Sequence, residues 1–114
     1  MFGLPISIDD LKIGVSLSED DTLYVGKEPI KIIHVPGHSP GSIVLYAPQS
    51  SFIIAGDVLF KNSIGRTDLP GGSFQQLVSA IQQKLLTLDE HTWVYPGHGP
   101  ETTIRSEKRN NPYI

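Results

Sequence analysis

The stretch Ile30–Asp57 reads "IKIIHVPGHSPGSIVLYAPQSSFIIAGD". It holds three short apolar runs, Ile30–Val35, Ser42–Tyr46 and Ser51–Gly56, each bounded by Gly, Pro, Ser or Asn-like turn chemistry. The runs are rich in β-branched residues and too short for helices, so they read as buried strands. "APQS" is the hairpin turn between the second and third, and Pro and Gly elsewhere act as turn punctuation. Upstream, "TLYV" (Thr22–Val25) follows the acidic turn "SEDD" and reads as a further strand; residues 1–14 read as loop or a short helical turn.

Downstream the period changes. In "GGSFQQLVSAIQQKLLTL", Phe74, Leu77, Val78, Ile81, Leu85 and Leu88 recur at three- and four-residue spacing, which predicts an amphipathic helix over about 73–87. Ser73 and Gln76 match a capping box. "TWVYP" is then a strand stopped by Pro96, and "ETTIRSEKRNN" a short helix over about 101–109 that ends before Pro112. Strands, helix, strand, helix is the order of a sheet with helices packed on it, in the α/β or α+β class.

Composition narrows the function classes. The chain has 114 residues, suited to one modest core. Its net charge of −3 offers no basic footprint for nucleic acid or anionic membrane. There is no cysteine, so disulfides, a thiol nucleophile and thiolate zinc sites are excluded. No apolar run approaches the ~18 residues of a membrane helix, and the N-terminus lacks the charge and apolar pattern of a signal peptide. A cytoplasmic location is the expectation. Charged residues are 18% of the chain, below the roughly 25% of soluble domains, which hints at a surface meant to be covered.

Four histidines are present. His34 lies inside a β-branched strand and His91 in the polar turn "LDEHT", where structural or solvated roles are the ordinary ones. His38 and His98 stand apart: each follows Pro-Gly directly after a strand, in "PGHSP" and "PGHGP". Such loops hold a side chain at a fixed angle near a ligand, although Pro-Gly also simply makes turns. Asp57 ends "IIAGD", a position where a strand disfavours it; a turn or helix cap is the plain alternative. Together His38, Asp57 and His98 form a mixed N and O donor set of the kind that suits Zn, Fe or Mn. No serine is convincingly paired with a base, and "PGGS" lacks the lysine of a phosphate loop.

At these residues the chain resembles the metallo-β-lactamase superfamily, in its glyoxalase II-like (hydroxyacylglutathione hydrolase-like) branch. The motifs "VPGHSPGSIVLY", "AGDVLFKNSIGRTDLPGG" and "VYPGHGPETTIRSEKRNNPYI" occur in the family's order. The resemblance implies an αββα sandwich of two similar halves with two metals between them. It implies His38 as a terminal ligand of the first metal, Asp57 as the bridge and His98 as a terminal ligand of the second. The activity implied is thioester hydrolysis by a water made acidic on metal. A persulfide dioxygenase with a single iron is the alternative; those enzymes share a Gly-Arg-Thr-Asp stretch like Gly65–Asp68, so this motif does not separate the two. The family's HxHxDH motif does not occur. Residues 1–114 are therefore expected to be a single partial domain, the C-terminal half of the sandwich, with a mixed sheet and helices on one face. Such a half is expected to bind Zn weakly and to be inactive alone. Its expected partners are the missing N-terminal half or a second copy, drawn to an open sheet face. A non-catalytic half-domain that acts by association is the third reading. Arg66 and Asp68 read as a structural ion pair.

Overall fold

The computed structural model describes residues 22–114; the reading of residues 1–14 lies outside them. Six strands form a mixed sheet in the order β1-β2-β3-β4-β7-β8. They are β1 (Thr22–Val25), β2 (Glu28–His34), β3 (Ile43–Ala47), β4 (Phe52–Gly56), β7 (Trp93–Pro96) and β8 (Thr102–Thr103). A separate hairpin, β5 (Leu59–Phe60) and β6 (Ser63–Ile64), lies between β4 and the helix α1 (Phe74–Ala80); α2 (Ile104–Asn110) closes the described chain.

Alternation along the strands sorts the apolar residues into two clusters. Val35, Val44, Ile53, Ala55 and Val94 face Leu77, Ile81, Leu85 and Ile104 of the helical side, all fully buried. Fully burying a side chain of this size contributes roughly 1.5–3 kcal/mol, so this layer is the main core. The alternate residues, Ile30, Ile32, Leu45, Ala47, Phe52 and Tyr95, form a second cluster of sheet residues. The helices therefore pack on one face, as expected for this α+β class. Each of these six residues is at most 9% exposed, while Leu23, Ile43 and Ile54 of the same cluster are partly buried and Trp93, paired with Phe52, is 47% exposed.

The strands fall close to their predicted positions; the helices differ in kind. α1 is capped by Ser73, whose hydroxyl accepts from the Gln76 N–H, but the predicted continuous helix turns π-helical over Ile81–Leu85. Leu86 N–H donates to the Ile81 carbonyl, five residues back. Four residues overshoot one α-turn and undershoot one π-turn. Using one of each keeps Leu77, Ile81 and Leu85, all fully buried, in line on the sheet. The second helix starts three residues later than predicted because Thr102 and Thr103 pair with Val94 and Trp93 as β8. Thr103 then caps α2, accepting from the Ser106 N–H at 3.1 Å. Among the described residues no helix is long and apolar enough to cross a membrane.

Candidate metal centre

Strand direction brings the candidate donors together. β2 is antiparallel to β3, β3 to β4, and β4 is parallel to β7. β2, β4 and β7 therefore run the same way, and the loops after them leave one end of the sheet. Those loops carry His38, Asp57 and His98. Strand ends of one direction, on a sheet whose order places β7 beside β4, are where α/β sheets open a crevice. The register between β4 and β7 shifts between Ile54 and Gly56, and Gly56 takes φ +55°. That irregularity ends the strand and turns Asp57 outward.

A concavity of about 620 Å³ opens at this end, lined by His38, Asp57, Phe60, Ile64, Arg66 and His98 among others. Asp57 Oδ1 and His98 Nε2 lie 4.0 Å apart, with side chains 58% and 78% exposed. His38 Nδ1 lies 2.9 Å from the Arg66 carbonyl. A carbonyl only accepts, so His38 donates from Nδ1 and keeps the Nε2 lone pair free, which is the arrangement of a metal-ligating histidine. The donor types fit a metal of the Zn or Fe class. They do not close a site: among the described residues no three His, Asp or Glu side chains make a metal-binding group. The structure brings all three residues to one pocket without bringing them to one point.

The loop after β6 builds the near wall. Gly65 N–H donates to the Val58 carbonyl at 2.9 Å. A Cβ on Gly65 would collide with the Asp57 carbonyl and come within 3.4 Å of His38 Nδ1, so only glycine lets this loop pass between two candidate donors. Arg66 and Asp68 pair in two parallel contacts, Nε to Oδ1 at 2.9 Å and Nη2 to Oδ2 at 3.0 Å. The hydrogen bond from Arg66 holds the Asp68 carboxyl below its ordinary range, and the guanidinium is raised in turn. Ser73 N–H donates to the Gly37 carbonyl at 2.7 Å, tying the start of α1 to the His38 loop.

The other candidates take structural places. His34 Nε2 donates to the Pro40 carbonyl at 2.7 Å and braces the His38 loop. His91 is exposed, and its backbone N–H donates to Asp89 Oδ1. Ser39 and Ser42 hydroxyls bond each other at 2.7 Å and tighten the same loop. Burial, and then the charge of Glu101, pushes the Tyr95 phenol up.

Sequence reasoning missed two contributors. Phe60 stacks on His98, with ring centroids 4.6 Å apart and planes at 24°. Glu107, fully buried, accepts from Asn62 N–H at 2.8 Å, Asn111 Nδ2 at 2.9 Å and the Thr102 hydroxyl at 2.6 Å. The signal for the first was the two-residue "KN" turn between "LF" and "SI", which marks a hairpin. Glu107 carried no signal, because a glutamate in "RSEKRN" reads as a solvated helix charge.

This chain belongs to the metallo-beta-lactamase superfamily: the family's model matches residues 4–98. Hydroxyacylglutathione hydrolase GloC of Haemophilus influenzae is 45% identical over 96 residues, covering 84% of this chain and 45% of that protein. The solved structure of TTHA1623 in a di-iron-bound form superposes with a TM-score of 0.79 at 41% identity, over 86% of this chain and 47% of that one. ETHE1 from Myxococcus xanthus gives a TM-score of 0.78 at 34% identity, over 84% of this chain and 44% of that one. The chain thus spans about half the length of the curated relatives it matches, 45% to 47% of the first of them.

Proposed function

We propose that this chain supplies one half of the metal centre of a cytoplasmic metal-dependent hydrolase that cleaves thioesters of the hydroxyacylglutathione type. The observation that carries the reading is the convergence of His38, Asp57 and His98 on one pocket, with the His38 Nδ1 tied to a carbonyl and its Nε2 left for metal. The likeness to GloC supports the substrate class. Zn is the proposed metal, with two ions in the complete site and Fe or Mn as substitutes; di-iron-bound TTHA1623 is a relative with two metals. When bound, the metals would supply Lewis acidity and a water that ionises near neutral pH. In this chain His38 and His98 would each hold one metal, and Asp57 would bridge them.

Catalytic zinc takes three protein ligands besides water. One histidine and a shared carboxylate fall short of that for each metal. We therefore propose that the remaining ligands come from an N-terminal half or from a second copy, and that these residues alone bind metal weakly and do not turn over. The test is hydrolysis of a hydroxyacylglutathione thioester with added Zn²⁺. Robust turnover by this chain alone would refute the half-site reading.

The second reading is a persulfide dioxygenase with one iron, in which His38 and Asp57 belong to a 2-His-1-carboxylate triad. The likeness to ETHE1 supports it, while the "GRTD" stretch is common to both readings and does not separate them. Metal analysis of the complete protein separates the two: one Fe against two metals per site.

A further inference from the structure

Among the described residues His98, unlike His38, has no hydrogen bond to orient its ring. Its ring is 78% exposed, and among the described residues nothing hydrogen-bonds to either of its nitrogens. Metal-ligating histidines are ordinarily oriented by a hydrogen bond through the second ring nitrogen, as His38 is by the Arg66 carbonyl. At His98 the plane of Phe60 occupies that role. The rings lie 4.6 Å apart at 24°, within the offset-stacked range of aromatic pairs. Stacking restricts the ring plane and leaves Nε2 facing Asp57 Oδ1, 4.0 Å away.

The segments that carry the two rings are both tied to one carboxylate, through Asn62 and Thr102. Phe60 ends β5, beside fully buried Leu59, and the hairpin turn that follows contains Asn62 at φ +62°. Asn62 N–H donates to Glu107 Oε1, and the Ser63 carbonyl accepts from Asn111 Nδ2 at 3.0 Å. On the other side, His98 sits in the loop from β7 to β8, and Thr102 at the end of that loop donates its hydroxyl to Glu107 Oε2. A buried carboxylate is tolerated only when its oxygens are satisfied. Here the groups that satisfy it come from the hairpin under Phe60, the loop end beyond His98, and α2.

We propose that Phe60 is the positioning residue for the His98 imidazole, and that Glu107 sets the spacing of the two rings by holding both loops. The metal arm of this proposal rests on the reading of His98 as a ligand; the orientation arm does not. The test follows the His98 ring protons by NMR in the 114-residue chain, in the parent and in Phe60→Leu, Phe60→Tyr and Glu107→Gln. The Phe60 ring current holds these protons upfield in the parent. Phe60→Leu is expected to move them downfield, Phe60→Tyr to leave them, and Glu107→Gln, which lies outside the pocket, to move them part of the way. Zn²⁺ titration on the same resonances is expected to show about tenfold weaker binding in Phe60→Leu, rescued in Phe60→Tyr. Unchanged ring protons in Phe60→Leu, or an equal loss in Phe60→Tyr, would overturn the proposal. If His98→Ala left Zn²⁺ binding intact, the ligand reading would fall, while the ring shift would still decide the positioning claim.

Discussion

Gly65 shows how a residue without a side chain can govern a site. Its Cα lies against the Asp57 carbonyl with the His38 ring close by, so any Cβ there must push the Asp57 backbone aside. Overpacking of this kind costs about 2–3 kcal/mol. Gly65→Ala is expected to lower stability by that amount in urea titrations and to break the His38–Arg66 hydrogen bond. His38, Asp57 and His98 were legible because each stands directly after a strand, where the chemistry of the neighbouring residues singles it out. Gly65 was not, because its constraint comes from residues 8 and 27 positions away that only the fold brings near. Arg66 and Asp68 were legible as an ion pair two residues apart, and the structure shows that pair. The folded-state pKa of Asp68 lies below its unfolded value. Whatever the pair contributes is therefore present above the unfolded value and lost as pH falls through the folded one. Both groups are solvent-exposed, and exposed pairs contribute little. Asp68→Asn is expected to leave the thermal midpoint at pH 7 almost unchanged and to flatten its decline in acid, as thermal melts across that range would show.

The small elements around the pocket depend on polar ties more than on their own length. β5 and β6 have two residues each, too few to hold a hairpin by ladder bonds. The Glu107 carboxylate supplies what the ladder lacks by accepting from the turn at Asn62. Removing it leaves the buried Thr102 and Asn111 donors unpaired as well, at roughly 1–3 kcal/mol for each. Glu107→Ala is thus expected to cost about 3 kcal/mol in denaturant unfolding and to release the hairpin, seen as faster amide exchange at Asn62. Thr103→Ala, which removes only the α2 cap, is expected to cost about 1 kcal/mol. Periodicity made the strands and α1 legible, since those signals are local. The π-turn at Ile81–Leu85 was not, because the same i, i+4 spacing of Leu77, Ile81 and Leu85 reads as plain helix. Nor was β8, where pairing to β7 overrides the helical tendency of "ETTIRSEK".

The whole molecule places three donors at one end of one sheet and spans about half the length of its relatives. The α+β class was legible from the order of strands and helices, and the metallo-beta-lactamase family from three motifs in sequence. The state of the second sheet face was not, because burial depends on what packs there and the strand pattern shows only which residues share the face. Six apolar residues of that face are at most 9% exposed, and Trp93 on the same face is 47% exposed. The argument for a partner rests on ligand number. On the proposed roles, with one histidine and part of Asp57 for each metal, coordination would be left to water, and affinity would fall far below that of a catalytic zinc site. Adding a separately expressed segment that carries the HxHxDH motif is the decisive comparison. Zn²⁺ affinity is expected to rise by orders of magnitude and thioester hydrolysis to appear only in the mixture, with His38→Ala in this chain abolishing both gains. Equal Zn²⁺ affinity with and without that segment would show that His38, Asp57 and His98 do not wait on further ligands, and the half-site reading would fail.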